Sequence, residues 1–329
     1  MSSPAGVGDK MARYELKPKS RIREFLGEKI IAASALSALV VIALIFIFIF
    51  KESLPIFTDK DVRQEAGISK LLLKQQFYQN SEPRWSWQPN SDVPKYSLMP
   101  LFLGTLKAAL VAMLFAVPLG VAAAIFTSQF ASRRAREFIK PIIELLAGIP
   151  SVVLGFFALI ILASVLQKVF GFTYRLNAIN AGIALGIAVI PIVFTLAEDA
   201  MTAVPTTLRD AATALGANPW QVSFTMVLPA AMPGIAAGIV LGFGRAIGET
   251  MIVLMASGNA AVISASLTDS IRTLSATIAA ELAEVVFGSA HYNVLFFIGT
   301  LLFVFTFIVN LGGMMILSKL KKKLQGRTR

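Results

Sequence analysis

Cysteine is absent from the 329-residue chain. Disulfides, thiolate metal sites and a cysteine nucleophile are therefore excluded. Histidine occurs once, as His291, so no metal cluster can be built on several imidazoles. Beside Tyr292, near the start of an apolar run, it reads as a structural group at a membrane interface. No GxxxxGK[ST] phosphate loop is present, so nucleotide hydrolysis would have to come from another polypeptide. Charged residues make up only 15% of the chain, and no polar stretch is long enough for a soluble domain that captures a ligand.

What fills the chain instead is apolar. Hydrophobic residues account for 56% of it and the mean hydropathy is +0.72, far above a soluble domain. This predicts an all-α, polytopic membrane protein embedded in lipid. Six runs are expected to span, at roughly 30–50, 98–127, 141–167, 178–197, 233–256 and 293–317. The first, Ile30 to Phe50, would be about 31 Å long as a helix, enough to cross the hydrocarbon core. It ends in FIFIFKES without a small-residue cleavage site, so it is expected to be retained as a span.

The net charge of +11 does not point to nucleic acid, because the bases gather at the termini and in one short loop. Seven Lys and Arg precede the first run, four lie in 128–140 and six follow Leu317. With both ends inside, inner segments carry 18 and outer ones 10, which predicts cytoplasmic amino and carboxyl ends. The expected division is a cytoplasmic segment 1–29, a first span 30–50, an external extension 51–97, a core 98–317 of five spans with a loop 198–232, and a basic cytoplasmic tail 318–329. In the extension, Pro83, Pro89, Pro94 and Pro100 break the chain while Trp85, Trp87 and Tyr96 approach the next span as interfacial aromatics do. Its GISKLLLKQQFY stretch predicts one short amphipathic helix. An interface-lying connector and a docking surface both remain open readings of it.

The polar island RDAATALGANPWQVSFTMVLP (209–229) lies between two apolar runs. Thr207 and Asp210 have capping-box spacing, and Pro205 stops the preceding segment. Asp210 to Leu215 favours helix, and Gly216 suits a left-handed C-cap. Asn218-Pro219 restarts a helix with Asn at the cap and Pro at its first position. Trp220 and Phe224 share a face, and Pro229 and Pro233 are expected to end this helix. A short helix-turn-helix follows, whose small Ala211, Ala212 and Ala214 admit close approach of another protein. An ordinary interfacial loop is the competing reading.

Deep in the fifth run, Arg245 and Glu249 are spaced i to i+4, which predicts one helical face and mutual reach. Charges at that depth must pair or face a polar interior. Gly242, Gly244 and Gly248 thin the same helix. A buried ion pair joining helices and a polar route for a solute are both compatible with this spacing. Thr250 adds a hydroxyl, although intramembrane Thr commonly bonds its own backbone. Lys107 either snorkels outward or faces the interior, and Gly148, Pro150 and Ser151 read as a kink or packing site.

The RDAATALG…LP run, with Arg209-Asp210 where Glu-Ala-Ala commonly begins and Leu228-Pro229 at its close, resembles the EAA loop of binding-protein-dependent ABC-importer permeases. WQPNSDVPKYSLMPLFLGTL (87–106), LAGIPSVVLGFFAL (146–159), GRAIGETMIV (244–253) and the segment 277–307 resemble the phosphate-importer branch, in its PstC-type subunit. The resemblance covers about 87–317 and leaves 51–86 unmatched. It implies a type I ABC-importer permease fold in the bacterial inner (plasma) membrane, with a cytoplasmic coupling helix. Arg209, Asp210, Ala211, Ala212, Gly216, Leu228 and Pro229 would couple to an ATPase. Arg245, Glu249 and Thr250 would lie along the path of inorganic phosphate, Arg245 forking onto its oxygens while Glu249 competes. The implied partners are a PstA-like permease, an ATPase dimer binding ATP and Mg, and an external phosphate-binding protein. The chain itself would hold no cofactor, no metal and no catalytic residue. Permeases for molybdate, sulfate or phosphonate would share the loop. A secondary transporter would need inverted repeats or a carboxylate relay, which the sequence does not display.

Overall fold

The computed structural model describes residues 21–76 and 82–326. Helices dominate. In order they are α1 (Arg21–Ser53), α2 (Pro55–Thr58), α3 (Lys60–Ala66) and α4 (Ile68–Leu72), then a hairpin of β1 (Trp87–Gln88) and β2 (Lys95–Tyr96). There follow α5 (Met99–Ile125), α6 (Arg133–Ala147), α7 (Ser151–Phe157), α8 (Ala163–Phe170), α9 (Ala178–Thr202) and α10 (Thr206–Ala214). The chain closes with α11 (Pro219–Gln221), α12 (Leu228–Gly248), α13 (Met251–Ala256), α14 (Leu274–Glu281) and α15 (Ala290–Gly326). Stretches of π-helix at Phe126–Phe130, Ala158–Leu162 and Val222–Val227 extend α5, join α7 to α8 and join α11 to α12. Six stretches are long and apolar enough to cross a membrane: Phe25–Thr58, Met99–Phe130, Ser151–Phe170, Ala178–Thr202, Pro219–Gly248 and Ala290–Lys319. The described residues up to Phe48 form one unit, and those from Ile49 onward form another.

The second unit is built on close contact between small residues. Gly182 and Gly186 of α9 lie against Val111 and Phe115 of α5, and Gly120 lies against Val193, so α5 and α9 run parallel. A Cβ on Gly182 would stand 2.4 Å from Val111. Lipid gives helices no hydrophobic reason to associate, so such backbone approach supplies the packing instead. Gly234, Gly238 and Gly242 of α12 meet Ala200, Leu196 and Val189 of α9 in reverse order, so α12 runs antiparallel to it. Gly313 of α15 abuts Val240. An alanine-rich core forms among α5, α9, α12 and α13.

Two of the expected runs are divided differently. The third was expected over 141–167, but α6 ends at Ala147 and the chain turns through Gly148–Pro150, so the span is Ser151–Phe170. Nothing on α6 is buried. Phe138, Ile142 and Leu145 are exposed beside its charges, the pattern of an interfacial helix. The fifth run was expected over 233–256. Pro229 and Pro233 do not stop the preceding helix: Pro229 sits in the first turn of α12 behind the π-helical stretch, where no α-helical donor is forfeited, and Pro233 lies within α12, which continues past it. A continuous helix runs Pro219–Gly248 and breaks afterwards.

The described parts of segment 51–98, residues 51–76 and 82–98, are folded onto the rest of their unit rather than forming a bare connector. Ile56, Val62, Ala66, Leu71, Trp87, Tyr96 and Leu98 are buried in one cluster with Leu274, Val294 and Leu295. Within GISKLLLKQQFY only Ile68–Leu72 is helical, and Phe77 and Tyr78 lie outside the described residues.

Candidate functional site

Arg245 is rooted inside the apolar thickness. Gly242 touches Val189 near the middle of α9, and Arg245 is about one turn further along α12. Gly242 and Ala246 are buried while Arg245 is exposed, so its guanidinium lies on a face that this chain leaves uncovered. Among the described residues it makes no ion pair. The expected i to i+4 pairing with Glu249 is corrected by the backbone. Helix α12 stops at Gly248, and Glu249 is extended at φ −68°, ψ 135°. Ser275 Oγ donates to the freed Glu249 carbonyl at 2.7 Å, which holds the break open. Thr250 Oγ1 donates to the Gly248 carbonyl at 3.3 Å, the own-backbone bond that intramembrane Thr favours.

Asn310 was not singled out in the sequence. It stands opposite Gly244, whose built Cβ would lie 3.0 Å from its Oδ1. That oxygen is buried and accepts no hydrogen bond. A polar residue surrounded by an apolar run is the only signal that could have flagged it.

The hairpin 205–229 forms with altered capping. Helix α10 begins at Thr206 behind Pro205, without the capping box expected at Thr207 and Asp210. The box forms instead between Asn218 and Gln221, at 2.8 and 2.9 Å. Gly216 has φ +86°. Gly216 N–H donates to Thr213 O and Ala217 N–H to Ala212 O, a Schellman closure. Arg209 donates to the Met201 carbonyl at 2.7 Å, tying the hairpin to the end of α9. Ala212 is buried, whereas Asp210, Ala211, Gly216 and Pro229 are exposed and Leu228 is half-buried. Leu215 is 90% exposed and Trp220 62%. Trp220 packs with tilted rings against Phe224 at 4.4 Å and Phe130 at 5.6 Å, so two large apolar side chains, Leu215 and Trp220, stand proud of a braced base.

Three polar clusters brace this frame. Fully buried Glu198, read from sequence as the first residue of a loop, receives Arg136, Lys140 at 2.8 Å and Thr202 at 3.1 Å. Lys140 also pairs with Asp199 at 2.9 Å. Hydrogen bonds to these two carboxylates raise the Lys140 pKa. Lys107 neither snorkels nor stands free, because its Nζ donates to the carbonyls of Ser264 and Ser266. At the opposite end, Glu281 gathers Arg272, His291 at 2.8 Å and Trp87 at 3.0 Å. Burial alone would push its carboxyl up, but the hydrogen bonds from His291 and Trp87 and the charge of Arg272 outweigh it and hold the carboxyl below its ordinary value. Burial and the neighbouring Glu65, which accepts from the Tyr96 hydroxyl at 2.8 Å, push that phenol up.

No group of three or more metal-ligating side chains occurs among the described residues. The arrangement offers a lone intramembrane guanidinium, a broken helix beside it and a grip-like hairpin at the other end of the same helix.

The chain is similar to known membrane transport subunits. Residues 116–322 match the family described as "Binding-protein-dependent transport system inner membrane component". The "Probable ABC transporter permease protein YqgH" of Bacillus subtilis is 32% identical over 289 residues, covering 88% of this chain and 89% of its own. The "Phosphate transport system permease protein PstC" of Mesorhizobium japonicum is 35% identical over 243 residues, covering 68% and 73%. Among solved structures, a bacterial ABC transporter for import of the acidic polysaccharide alginate superposes with TM-score 0.59 at 14% identity, over 91% of this chain and 99% of that one. The MetNI methionine ABC transporter gives 0.51 at 18% identity, over 68% and 94%. The fold is that of type I ABC-importer permeases.

Proposed function

We propose a transport function from one premise: this chain belongs to the binding-protein-dependent transport system inner membrane component family. It is the permease subunit of an ATP-driven importer, multi-pass in the membrane, and its substrate is inorganic phosphate. Relatives named as phosphate transport permeases support the substrate, at 35% and 33% identity over about seven-tenths of the chain. The observation that carries the reading is Arg245. An unpaired guanidinium at that depth, on an uncovered face, suits an oxyanion that takes two parallel N–H bonds. A second, PstA-like permease would close that face and complete the route.

Both termini then lie in the cytoplasm, which puts α10 and α11 on the cytoplasmic side. There Arg209, Asp210, Ala211, Ala212, Gly216, Leu228 and Pro229 frame the hairpin that an ATPase dimer grips, with Leu215 and Trp220 as its apolar anchors. ATP and Mg are held by that dimer. An external phosphate-binding protein delivers the anion to the opposite face. ATP closure moves the hairpin, and the helix that begins at Pro219 carries the movement to Arg245. Glu249 and Thr250, at the helix break, border the route.

The test is ATP-dependent uptake of radiolabelled phosphate by the reconstituted complex, with and without the external protein, in wild type and Arg245→Gln. Uptake that needs both ATP and Arg245, and that excess sulfate or molybdate does not suppress, is expected. Uptake by Arg245→Gln at the wild-type rate would remove Arg245 from the path. Suppression by another oxyanion would reassign the substrate within the same family.

A further inference from the structure

Two unmatched hydrogen-bonding groups sit at neighbouring positions where α12 meets α15: Asn310 against Gly244, and Arg245, the next residue, on the exposed face of α12. Asn310 Oδ1 is buried against Gly244 and has no donor. A buried carbonyl oxygen that has lost water and gained no partner is destabilising. The residue after Gly244 is Arg245, whose guanidinium carries five N–H donors and no acceptor. It makes no ion pair among the described residues. Gly244 has no side chain and packs closely on Asn310, so only backbone separates the amide from the root of the Arg245 side chain. Glu249, the acceptor that spacing offered to Arg245, has left the helix.

We propose that Asn310 is the resting acceptor of Arg245. In one state of the transport cycle the guanidinium donates to Asn310 Oδ1, and in another it swings away and forks onto the translocated oxyanion. This deepens the reading of Arg245 as the anion contact and rests on it. The amide is neutral, so it competes with the anion for N–H donors but not for the charge. Capture therefore stays favourable, and release is helped by an acceptor waiting beside the site. Asn310 acts through Arg245 and is a positioning residue. It has no need to touch the anion.

The experiment measures equilibrium binding of radiolabelled phosphate to the purified complex without the external binding protein, alongside the maximal uptake rate in proteoliposomes. Asn310→Leu removes the competitor. Binding is expected to tighten about tenfold, the size of one hydrogen bond to a charged group, while the uptake rate falls because release slows. Asn310→Asp, nearly the same shape, holds the guanidinium harder and is expected to weaken binding by about tenfold or more. Asn310→Gln keeps an acceptor and is expected to fall between wild type and the leucine variant on both readouts. Opposite shifts in the leucine and aspartate variants support the proposal. Unchanged binding in both, with only the uptake rate reduced, would overturn it and leave Asn310 as a packing residue. Failure of Arg245 itself is read separately, as normal uptake by Arg245→Gln with Asn310 intact.

Discussion

Gly104 of α5 and Arg272 meet backbone to backbone: a Cβ on Gly104 would lie 2.1 Å from the Arg272 carbonyl oxygen. The loop before α14 is thereby pressed onto α5, where Lys107 holds the Ser264 and Ser266 carbonyls and Thr105 Oγ1 accepts from Leu274 N–H at 3.0 Å. Gly104→Ala has no flexible side chain to push aside. It is expected to destabilise the protein by about 1–3 kcal/mol, the usual range for overpacking, read as a lower melting temperature of the purified complex. Gly312→Ala, where nothing lies within 4 Å, is expected to be neutral or stabilising by up to about 1 kcal/mol.

The Glu281 cluster predicts an acid limb. Its carboxyl is held below the ordinary value in the folded protein by His291, Trp87 and Arg272 acting against burial. A depressed carboxylate contributes stability above the unfolded pKa of about 4.3, and that stability is lost as pH falls through the lower folded value. Melting temperature is expected to drop with acidification below about pH 4.3 in wild type. Glu281→Gln should melt lower at neutral pH and show a flatter profile across the acid range. An unchanged profile would mean that another group sets the acid limb.

Glu198→Gln tests the other cluster. The substitution leaves Arg136 and Lys140 without their shared carboxylate, although both are about one-third exposed and keep partial hydration. The loss is expected to be about 1–3 kcal/mol, below that for a fully enclosed pair. Because Arg209 grips Met201 on the same end of α9, uptake should fall more than ATP hydrolysis does. Parallel measurement of both rates decides this.

Gly216→Val forces a β-branched residue to φ +86°. Left-handed backbone costs such residues about 1–2 kcal/mol, and the Schellman closure between α10 and α11 should loosen. Co-purification of the ATPase subunit is expected to weaken while the spans remain assembled. Full retention of the ATPase would show that it does not read this turn.

Much of this arrangement was legible because hydropathy is additive along a run. Spans emerged wherever about twenty apolar residues sat together. The split at Gly148–Pro150 was read only as a kink or packing site, since the mostly apolar run PIIELLA continues up to it and backbone geometry is what ends α6 there and starts the span at Ser151. The hairpin was readable from Gly216 and Asn218-Pro219, whose local chemistry dictates their conformation. Its first cap was misplaced because Pro205 alone started α10. The break at Glu249 had no local signal: Glu favours helix, and a hydroxyl 26 residues away, on Ser275, takes the carbonyl. Asn310 and Glu198 went unread for a related reason. Their importance lies in which helix stands opposite, and a single sequence carries no record of that.

The uninterrupted helix from Pro219 to Gly248 has a mechanical corollary. Thirty residues make a rod about 45 Å long, with Trp220 at one tip and Arg245 close to the other. The π-helical stretch Val222–Val227 and Pro233 lie between them, so tilt imposed at the tryptophan reaches the arginine through two points where a helix can bend. A sharper break follows at Glu249 and Thr250, where the rod can turn without dragging α13 along.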